Sequence, residues 1–113
     1  MLKKKFRLKK KYEFQYLYKK GVRLHSASVT LLCAQNKHHT SKFGFVVSKK
    51  IGNSVVRNAI KRKLRACIDI FLPNIKSECN CMFIAKDTIT QKDFSSLCLE
   101  IKGLLQKAGI WYE

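Results

Sequence analysis

Cationic side chains are concentrated in residues 49–65, which read KKIGNSVVRNAIKRKLR. This segment holds seven of the 24 Lys and Arg residues of the chain and none of its acidic residues. The planar guanidinium of arginine can donate two hydrogen bonds to the oxygens of one phosphate, and lysine adds a compact positive charge. Asn58 lies beside Arg57, and its amide can bond a base edge or a ribose hydroxyl as well as a phosphate. These residue types predict binding of a polyanion, and of nucleic acid in particular.

A solvated basic helix face that binds nothing is the alternative interpretation of this segment. Arg57, Lys61 and Arg65 are spaced four apart and would form one row on a helix. Like charges at this spacing destabilise a helix by roughly 0.2–0.5 kcal/mol per pair. A bound polyanion would relieve that repulsion, so the spacing favours function.

The formal net charge of +17 is confined to the first 65 residues, since residues 66–113 carry five lysines against six acids. This asymmetry is typical of a binding surface backed by an ordinary half-domain. An anionic membrane is less favoured than nucleic acid, because no strongly amphipathic lipid-facing helix is found. The length of 113 residues predicts one domain. No secretory signal or long apolar run is found, so we expect a cytoplasmic protein.

Catalysis by the protein itself is not favoured by the remaining residues. The seven acidic residues are dispersed, and no nucleophile elbow, phosphate-binding glycine loop or metal-binding helix motif occurs. The five cysteines have no regular spacing and are expected to be buried free thiols. Cys79 and Cys81 are too close for a zinc pair, and His38 and His39 lack partner ligands.

Three helices and three strands are predicted to position the basic segment. Periodicity and turn residues place strands at residues 28–34, 43–48 and 80–86, and helices at residues 12–20, from 53 or 54 to 72, and from a Thr90 cap to Gly109. The short link between the first two strands predicts an antiparallel hairpin. The middle helix should anchor through Val56, Ile60, Leu64, Cys67 and Phe71, and the last helix has Asp93 in the capping-box position. The order indicates an α+β sandwich of helices on a small sheet.

The first predicted helix carries aromatic residues on two faces. Phe14 and Tyr18 share one face with Leu17, and Tyr12 and Tyr16 share the opposite one. A core needs only one such face. Phe14 and Tyr18 can either pack in the core or stack unpaired bases, and periodicity leaves both open.

The first predicted strand has a polar side. Ser28, Thr30 and Leu32 face one way along it, and the small polar pair suits a shallow wet groove better than a core.

The segment VSKKIGNSVVRNAIKRKLR resembles the central motif of the protein subunit of bacterial ribonuclease P. The resemblance extends to LKKKYEFQYLYKKG, FGFVVSKK, CMFIAK and the last helix, and so covers nearly the whole chain. It implies an α+β single domain of αβββαβα-like order with a left-handed βαβ crossover, against the usual right-handed rule. Residues 1–8 are expected to be a mobile basic segment of that domain.

The resemblance also implies a function. In this family the protein binds a catalytic RNA, and that RNA removes the 5′ leader of precursor tRNA with divalent ions such as Mg²⁺ that it holds itself. The partners would be the catalytic RNA and precursor tRNA, with no membrane, no DNA, no protein-bound cofactor and no catalytic residue in the protein.

The site residues implied by the resemblance form two sets. The expected catalytic-RNA-binding residues are Lys49, Lys50, Asn53, Arg57, Asn58, Lys61, Arg62 and Arg65. The expected leader-binding cleft consists of Phe14, Tyr18, Thr30 and Leu32. Ala59 stands where the family pattern has arginine, and Lys63 lies on the same side of the predicted helix.

Two other binding functions fit the composition. A non-catalytic RNA-binding protein such as a ribosomal component would share the charge pattern. A duplex-DNA binder would lay the basic helix in the major groove, but the chain lacks a dimerisation element and a turn followed by a recognition helix.

Overall fold

The structure is a computed structural model that describes residues 3–36, 40–76 and 78–112. The helices are α1 (Lys11–Lys20), α2 (Ser54–Phe71) and α3 (Phe94–Lys107), and the strands are β1 (Val22–His25), β2 (Val29–Gln35), β3 (Lys42–Val46) and β4 (Cys79–Ala85). This order is αβββαβα, as expected. Within the described ranges, no helix is long and apolar enough to cross a membrane.

The four strands form one mixed sheet in the order β1-β2-β4-β3. β2 pairs antiparallel with both β1 and β4, whereas β3 pairs parallel with β4. The expected β2–β3 hairpin is therefore wrong. β4 lies inside the sheet, between β2 and β3, which agrees with its mostly apolar and buried side chains, and α2 provides the long crossover that parallel neighbours need. The handedness of this crossover stays a prediction.

The sheet packs on both faces, and the alternation predicted for β2 is confirmed. Val29, Leu31 and Cys33 belong to the larger apolar cluster, which also contains the buried faces of α2 and α3. Leu32 faces the other way and packs with Leu17 of α1 in a smaller cluster. α1 and the α2–α3 pair thus cover opposite faces of the sheet.

The N-terminal segment packs in part on this framework. Leu8 is buried in the smaller cluster, and its backbone N–H donates to the Phe43 carbonyl at 2.9 Å. Arg7 forms a parallel bridge with Phe43. Residues 1 and 2, within the segment expected to be mobile, lie outside the described residues.

The predicted start of α2 is confirmed. Asn53 is the cap, and its side-chain oxygen accepts from the Val56 N–H at 3.0 Å. Ile60, Leu64 and Cys67 are buried as expected, with Ile68 beside them. Val56 remains 38% exposed in the first turn, and Phe71 is half-buried at the last.

The start of α3 differs from the prediction, whereas its end at Gly109, with φ of 76°, is as expected. Thr90 lies in a 3₁₀ turn over Asp87–Gln91, and extended Lys92 separates that turn from the helix. Asp93 is itself the cap, accepting from the Ser96 N–H at 2.8 Å.

All five cysteines are free, and four of them are buried, with Cys98 half-buried. The sulfur atoms of Cys67 and Cys98 lie 3.0 Å apart between α2 and α3, and burial raises the pKa of Cys67. No group of three His, Cys, Asp or Glu side chains in the described part of the chain could hold a metal ion. The predicted exclusion of metal at His38 and His39 concerns residues outside the described ones.

The Glu100 carboxylate of α3 holds the turn between β1 and β2. It accepts from the Ser28 N–H at 2.8 Å and from the Ser28 and Ser26 hydroxyls, and Lys92 Nζ lies 3.8 Å away. Burial raises the pKa of Glu100, but the hydrogen bonds from Ser26 and Ser28 outweigh it, so the pKa lies below its ordinary value.

Replacing this carboxylate should destabilise the fold. We expect Glu100→Gln to lower the free energy of unfolding by about 1–3 kcal/mol near pH 7, because charged acceptor bonds are lost. With a depressed folded-state pKa, the wild-type stabilisation is complete above the ordinary pKa of 4.5 and declines as the pH falls through the lower folded-state value. Urea denaturation across this range measures both effects. Equal stabilities of Glu100→Gln and the exposed control Asp87→Asn would contradict the assignment.

Candidate nucleic-acid interface

The predicted basic row of α2 lies on one flank of the helix, beside its buried stripe. Arg57, Lys61 and Arg65 are each half-buried, whereas Asn58 and Arg62 are exposed on the outer side. The side chains of the row are therefore partly held by the protein while their charges remain near solvent. A phosphate backbone could approach along this flank.

Two backbone features order the N-terminal end of the row. Arg57 Nε donates to the Gly52 carbonyl at 3.1 Å, which ties the guanidinium to the preceding turn. The side-chain oxygen of Asn53 accepts in the helix cap, so the NH₂ of the same amide is the group that can donate to a ligand. Lys49 and Lys50 are exposed in the turn just before.

Ala59 and Lys63 are both exposed on α2. At about 100° per residue, both lie on the flank of the buried stripe opposite to Lys61. Alanine at position 59, where the resemblance implies arginine, therefore lies away from the row of Arg57, Lys61 and Arg65.

Arg65 is the most constrained cation of the interface. Its Nε is buried without a hydrogen-bond partner, and its guanidinium lies 5.9 Å from the centroid of the Phe45 ring. Burial lowers the pKa of Arg65, and the positive charge of Arg7 lowers it further. An anion bound beside this guanidinium would screen the repulsion between Arg65 and Arg7.

Arg7 also belongs to this cationic surface, although the sequence does not single it out. It lies in a Lys/Arg-rich run in which no local signal distinguishes one cation from another. Its bridge to Phe43 of β3, a pairing between distant segments of the chain, brings Arg7 close to α2.

A small depression of about 110 Å³ joins the two predicted sites. Arg65 of the basic row and Phe14 of the predicted cleft both line it. Arg7 of the N-terminal segment lines it as well. Gly44 forms part of the same wall. The structure thus brings one member of each predicted set, Arg65 and Phe14, to the same depression.

The cleft residues are divided by the structure. Phe14 is half-buried, and Tyr18 is 49% exposed. Leu32 is fully buried beneath α1, and Thr30 is 6% exposed with its hydroxyl 3.1 Å from His25 Nδ1. The expectation that Leu32 and Thr30 side chains line an open cleft is therefore wrong. No local pattern in the sequence indicates that α1 and His25 cover this part of the strand.

Comparisons with known proteins give one consistent result. A family model described as "Ribonuclease P" matches residues 2–109. The chain is 34% identical over 115 residues to the ribonuclease P protein component of Clostridium botulinum strain Alaska E43, covering 96% of this chain and 92% of that protein. It is 33% identical over 113 residues to the corresponding component of Caldanaerobacter subterraneus, covering 100% and 97%.

Solved structures are similar as well. The RNase P protein of Staphylococcus aureus has a TM-score of 0.86 at 28% identity, covering 94% of this chain and 97% of that one. The RNase P protein from Thermotoga maritima, at 24% identity, shares the fold with a TM-score of 0.83 and covers 89% and 96%.

Gly44 is expected to be needed for the joined surface. A Cβ at this position would lie 2.7 Å from Phe14 Cε1 and 3.2 Å from Leu8 Cδ1, so Gly44→Ala should displace the Phe14 ring. We expect a loss of about 1–3 kcal/mol in urea denaturation, with partial recovery when Phe14→Leu is added. Gly103→Ala is the control, since a Cβ there meets nothing within 4 Å and should stabilise α3. Two equally stable variants would contradict the close contact.

Proposed function

The chain belongs to the ribonuclease P protein family, and we propose that it binds both the catalytic RNA of that ribonucleoprotein and the single-stranded 5′ leader of precursor tRNA. Members of this family are protein components of an endoribonuclease that acts on precursor tRNA. In the proposed mechanism the RNA carries out the hydrolysis of the phosphodiester bond, with Mg²⁺ held mainly by RNA. The protein supplies charge and position.

The observation that carries the proposal is the continuity between Arg65 and Phe14 across the depression at Gly44. One side of this surface is cationic and suits a folded RNA backbone. The other side has an aromatic ring against which an unpaired base could stack. A protein that must hold a structured RNA and a flexible strand together needs these two chemistries side by side.

On the cationic side, the catalytic RNA would lie along the row of Arg57, Lys61 and Arg65. Neutralising these charges releases counterions from the RNA, which makes binding strongly dependent on salt. It also removes the repulsion between Arg7 and Arg65. Asn58 and Arg62 on the outer side would contact ribose or base edges. Lys49, Lys50 and the Asn53 amide would bind phosphate at the helix start.

On the aromatic side, the leader would lie along the flank of α1 that carries Phe14 and Tyr18. These residues are four apart on α1, so their rings follow one another along the helix. Phe14 is fixed by its packing on the smaller apolar cluster, and Tyr18 projects further into solvent. Stacking on such rings accepts any base, which suits leaders of differing sequence.

The protein would assist the reaction without taking part in bond breaking. Holding the leader beside the catalytic RNA places the scissile phosphate near the RNA-bound metal ions and reduces the entropy lost on reaching the transition state. Added positive charge also lowers the repulsion between the two RNAs, so that less Mg²⁺ is required.

The basic row should contribute directly to binding of the catalytic RNA. We expect Lys61→Ala to weaken affinity for the cognate ribonuclease P RNA and to reduce the slope of log affinity against log salt by about 1. Lys107→Ala, an exposed lysine at the end of α3, should leave both unchanged. Filter binding over a salt series gives the slope.

If adding wild-type protein does not change cleavage of precursor tRNA at low Mg²⁺, the proposed function is wrong.

The leader should be recognised through Tyr18. Tyr18→Ala in the reconstituted holoenzyme is expected to reduce the preference for precursor over mature tRNA by about fivefold, because one base loses its stacking partner. Tyr112→Ala removes an equally accessible ring elsewhere and should keep the preference. Equal affinities of the wild-type holoenzyme for the two tRNA forms would contradict leader binding.

Comparing the binding of precursor tRNA with that of duplex DNA at matched salt separates the proposed function from the DNA-binding alternative.

A further inference from the structure

An open groove of about 780 Å³ follows the flank of α1 opposite to Phe14 and Tyr18. The function proposed above does not use it. We call it the tyrosine groove, and its principal residues are Tyr12, Tyr16 and Lys19 of α1 with Gln35, Asn36 and Asn80 at the ends of β2 and β4.

Two tyrosine rings of α1 form one wall of the groove, and the packing of α1 on the sheet does not require them. Tyr12 and Tyr16 are 61% and 54% exposed, although they are large rings on a helix whose core contacts are made by Phe14 and Leu17. They are four residues apart and lie one above the other on the helix. Two rings in this arrangement can stack two unpaired bases.

The opposite wall presents amide groups held in place. Asn36 Nδ2 donates to the Asn80 side-chain oxygen at 2.7 Å, which joins the end of β2 to the start of β4. Gln35 lies next to them along the same wall. Amides carry both donors and acceptors, so they can bond the edges of bases stacked on the tyrosines.

The charges around the groove favour an anionic ligand. Lys19 lines it, and Lys10 Nζ lies 5.7 Å from the centroid of the Tyr12 ring. Glu13 also lines the groove, but it is buried and forms an ion pair with Lys42 at 3.6 Å. Glu78 is exposed near the amide wall, where its backbone carbonyl accepts from the Asn36 N–H. Stacking rings, amides and lysines together match single-stranded RNA better than an acidic peptide, which lacks bases to stack.

The position of the groove indicates which RNA would occupy it. Glu13 is shared with a neighbouring cationic pocket lined by Lys4, Lys5, Arg7, Lys9, Lys10 and Lys42. Arg7 in turn joins Arg65 and the basic row of α2. α1 itself separates the groove from the flank that carries Phe14 and Tyr18. The groove is therefore joined through this cationic pocket to the surface proposed for the catalytic RNA. Phe14 also lines the depression at Arg7, but the body of α1 lies between the groove and the flank along which the leader is proposed to lie.

We propose that the tyrosine groove binds unpaired nucleotides of the catalytic RNA, by stacking on Tyr12 and Tyr16. This inference rests on the proposed function, because it assumes that the catalytic RNA is the partner of the basic row. It adds base stacking to an interface otherwise made of contacts to phosphate, ribose and base edges.

The test measures binding of the cognate ribonuclease P RNA, without tRNA, to four proteins: wild type, the double variant Tyr12→Leu with Tyr16→Leu, the double variant Tyr12→Phe with Tyr16→Phe, and Tyr112→Leu. We expect the leucine pair to weaken affinity about tenfold or more, because stacking is lost at two bases. The phenylalanine pair keeps the rings and should bind within about twofold of wild type. Tyr112 is 54% exposed, like Tyr16, and Tyr112→Leu should bind as wild type does. Chemical probing of RNA 2′-hydroxyls should show a short unpaired stretch that the leucine pair no longer protects.

The outcomes separate this inference from the proposed function. If wild-type protein fails to bind the RNA, the proposed function itself is wrong. If wild type binds and the leucine pair binds equally well, only the groove inference is overturned, and a protein ligand becomes the better occupant. A leucine pair that keeps its RNA affinity but loses the preference for precursor over mature tRNA would also overturn it, by assigning the groove to the leader. Thermal unfolding of each variant establishes that the fold is kept.

Discussion

Five residue pairs, from Lys42 with Asn80 to Val46 with Ile84, join β3 to β4 in parallel, and this pairing determines where the binding residues lie. Because the strands are parallel, the chain must cross from one end of the sheet to the other, and α2 makes that crossing. Its buried stripe is held on the sheet face opposite to α1. One flank of the helix is thereby left beside the edge strand β3, where Arg65 meets Phe45. The edge strand then brings Arg7 and Phe14 to the same place.

Binding and stability are in tension at this edge. Arg65 carries a buried donor without a partner, and the neighbouring charge of Arg7 opposes its own. The other buried side-chain N and O atoms that the structure describes have hydrogen-bond partners, as at Glu100, where hydroxyls and a backbone N–H surround one carboxylate. The contacts of Glu100 lie at the β1–β2 turn and α3, away from Arg65. The free protein thus has paired charges at the β1–β2 turn and opposed charges at Arg7 and Arg65, and a bound polyanion would relieve that opposition.

Local features of this structure were predictable from the sequence, whereas pairings distant in the chain were not. The stripe of Ile60 and Leu64, the Asn53 cap and the alternation along β2 follow from periods of a few residues. The cap of α3 was misassigned because Thr90 and Asp93 both offer a suitable oxygen, and only the backbone at Lys92 decides between them. The sequence does not single out β1, because its apolar and polar residues alternate over only four positions and three of the four side chains are exposed. Contacts between segments distant in the chain determine the position of β4 in the sheet, the burial of Leu32 and the proximity of Arg7 to α2. No local pattern encodes such contacts.

The open side of β3 has a consequence for self-association. A strand at the end of a sheet offers unpaired backbone groups to another copy of the chain, and proteins often protect such edges with charge. Here Arg7 and Arg65 stand beside β3, and the N-terminal segment occupies its first part through Phe43. Two copies approaching edge to edge would bring these cations together and repel each other. The same charges that suit the proposed RNA partner therefore disfavour pairing of two copies of the chain at this strand.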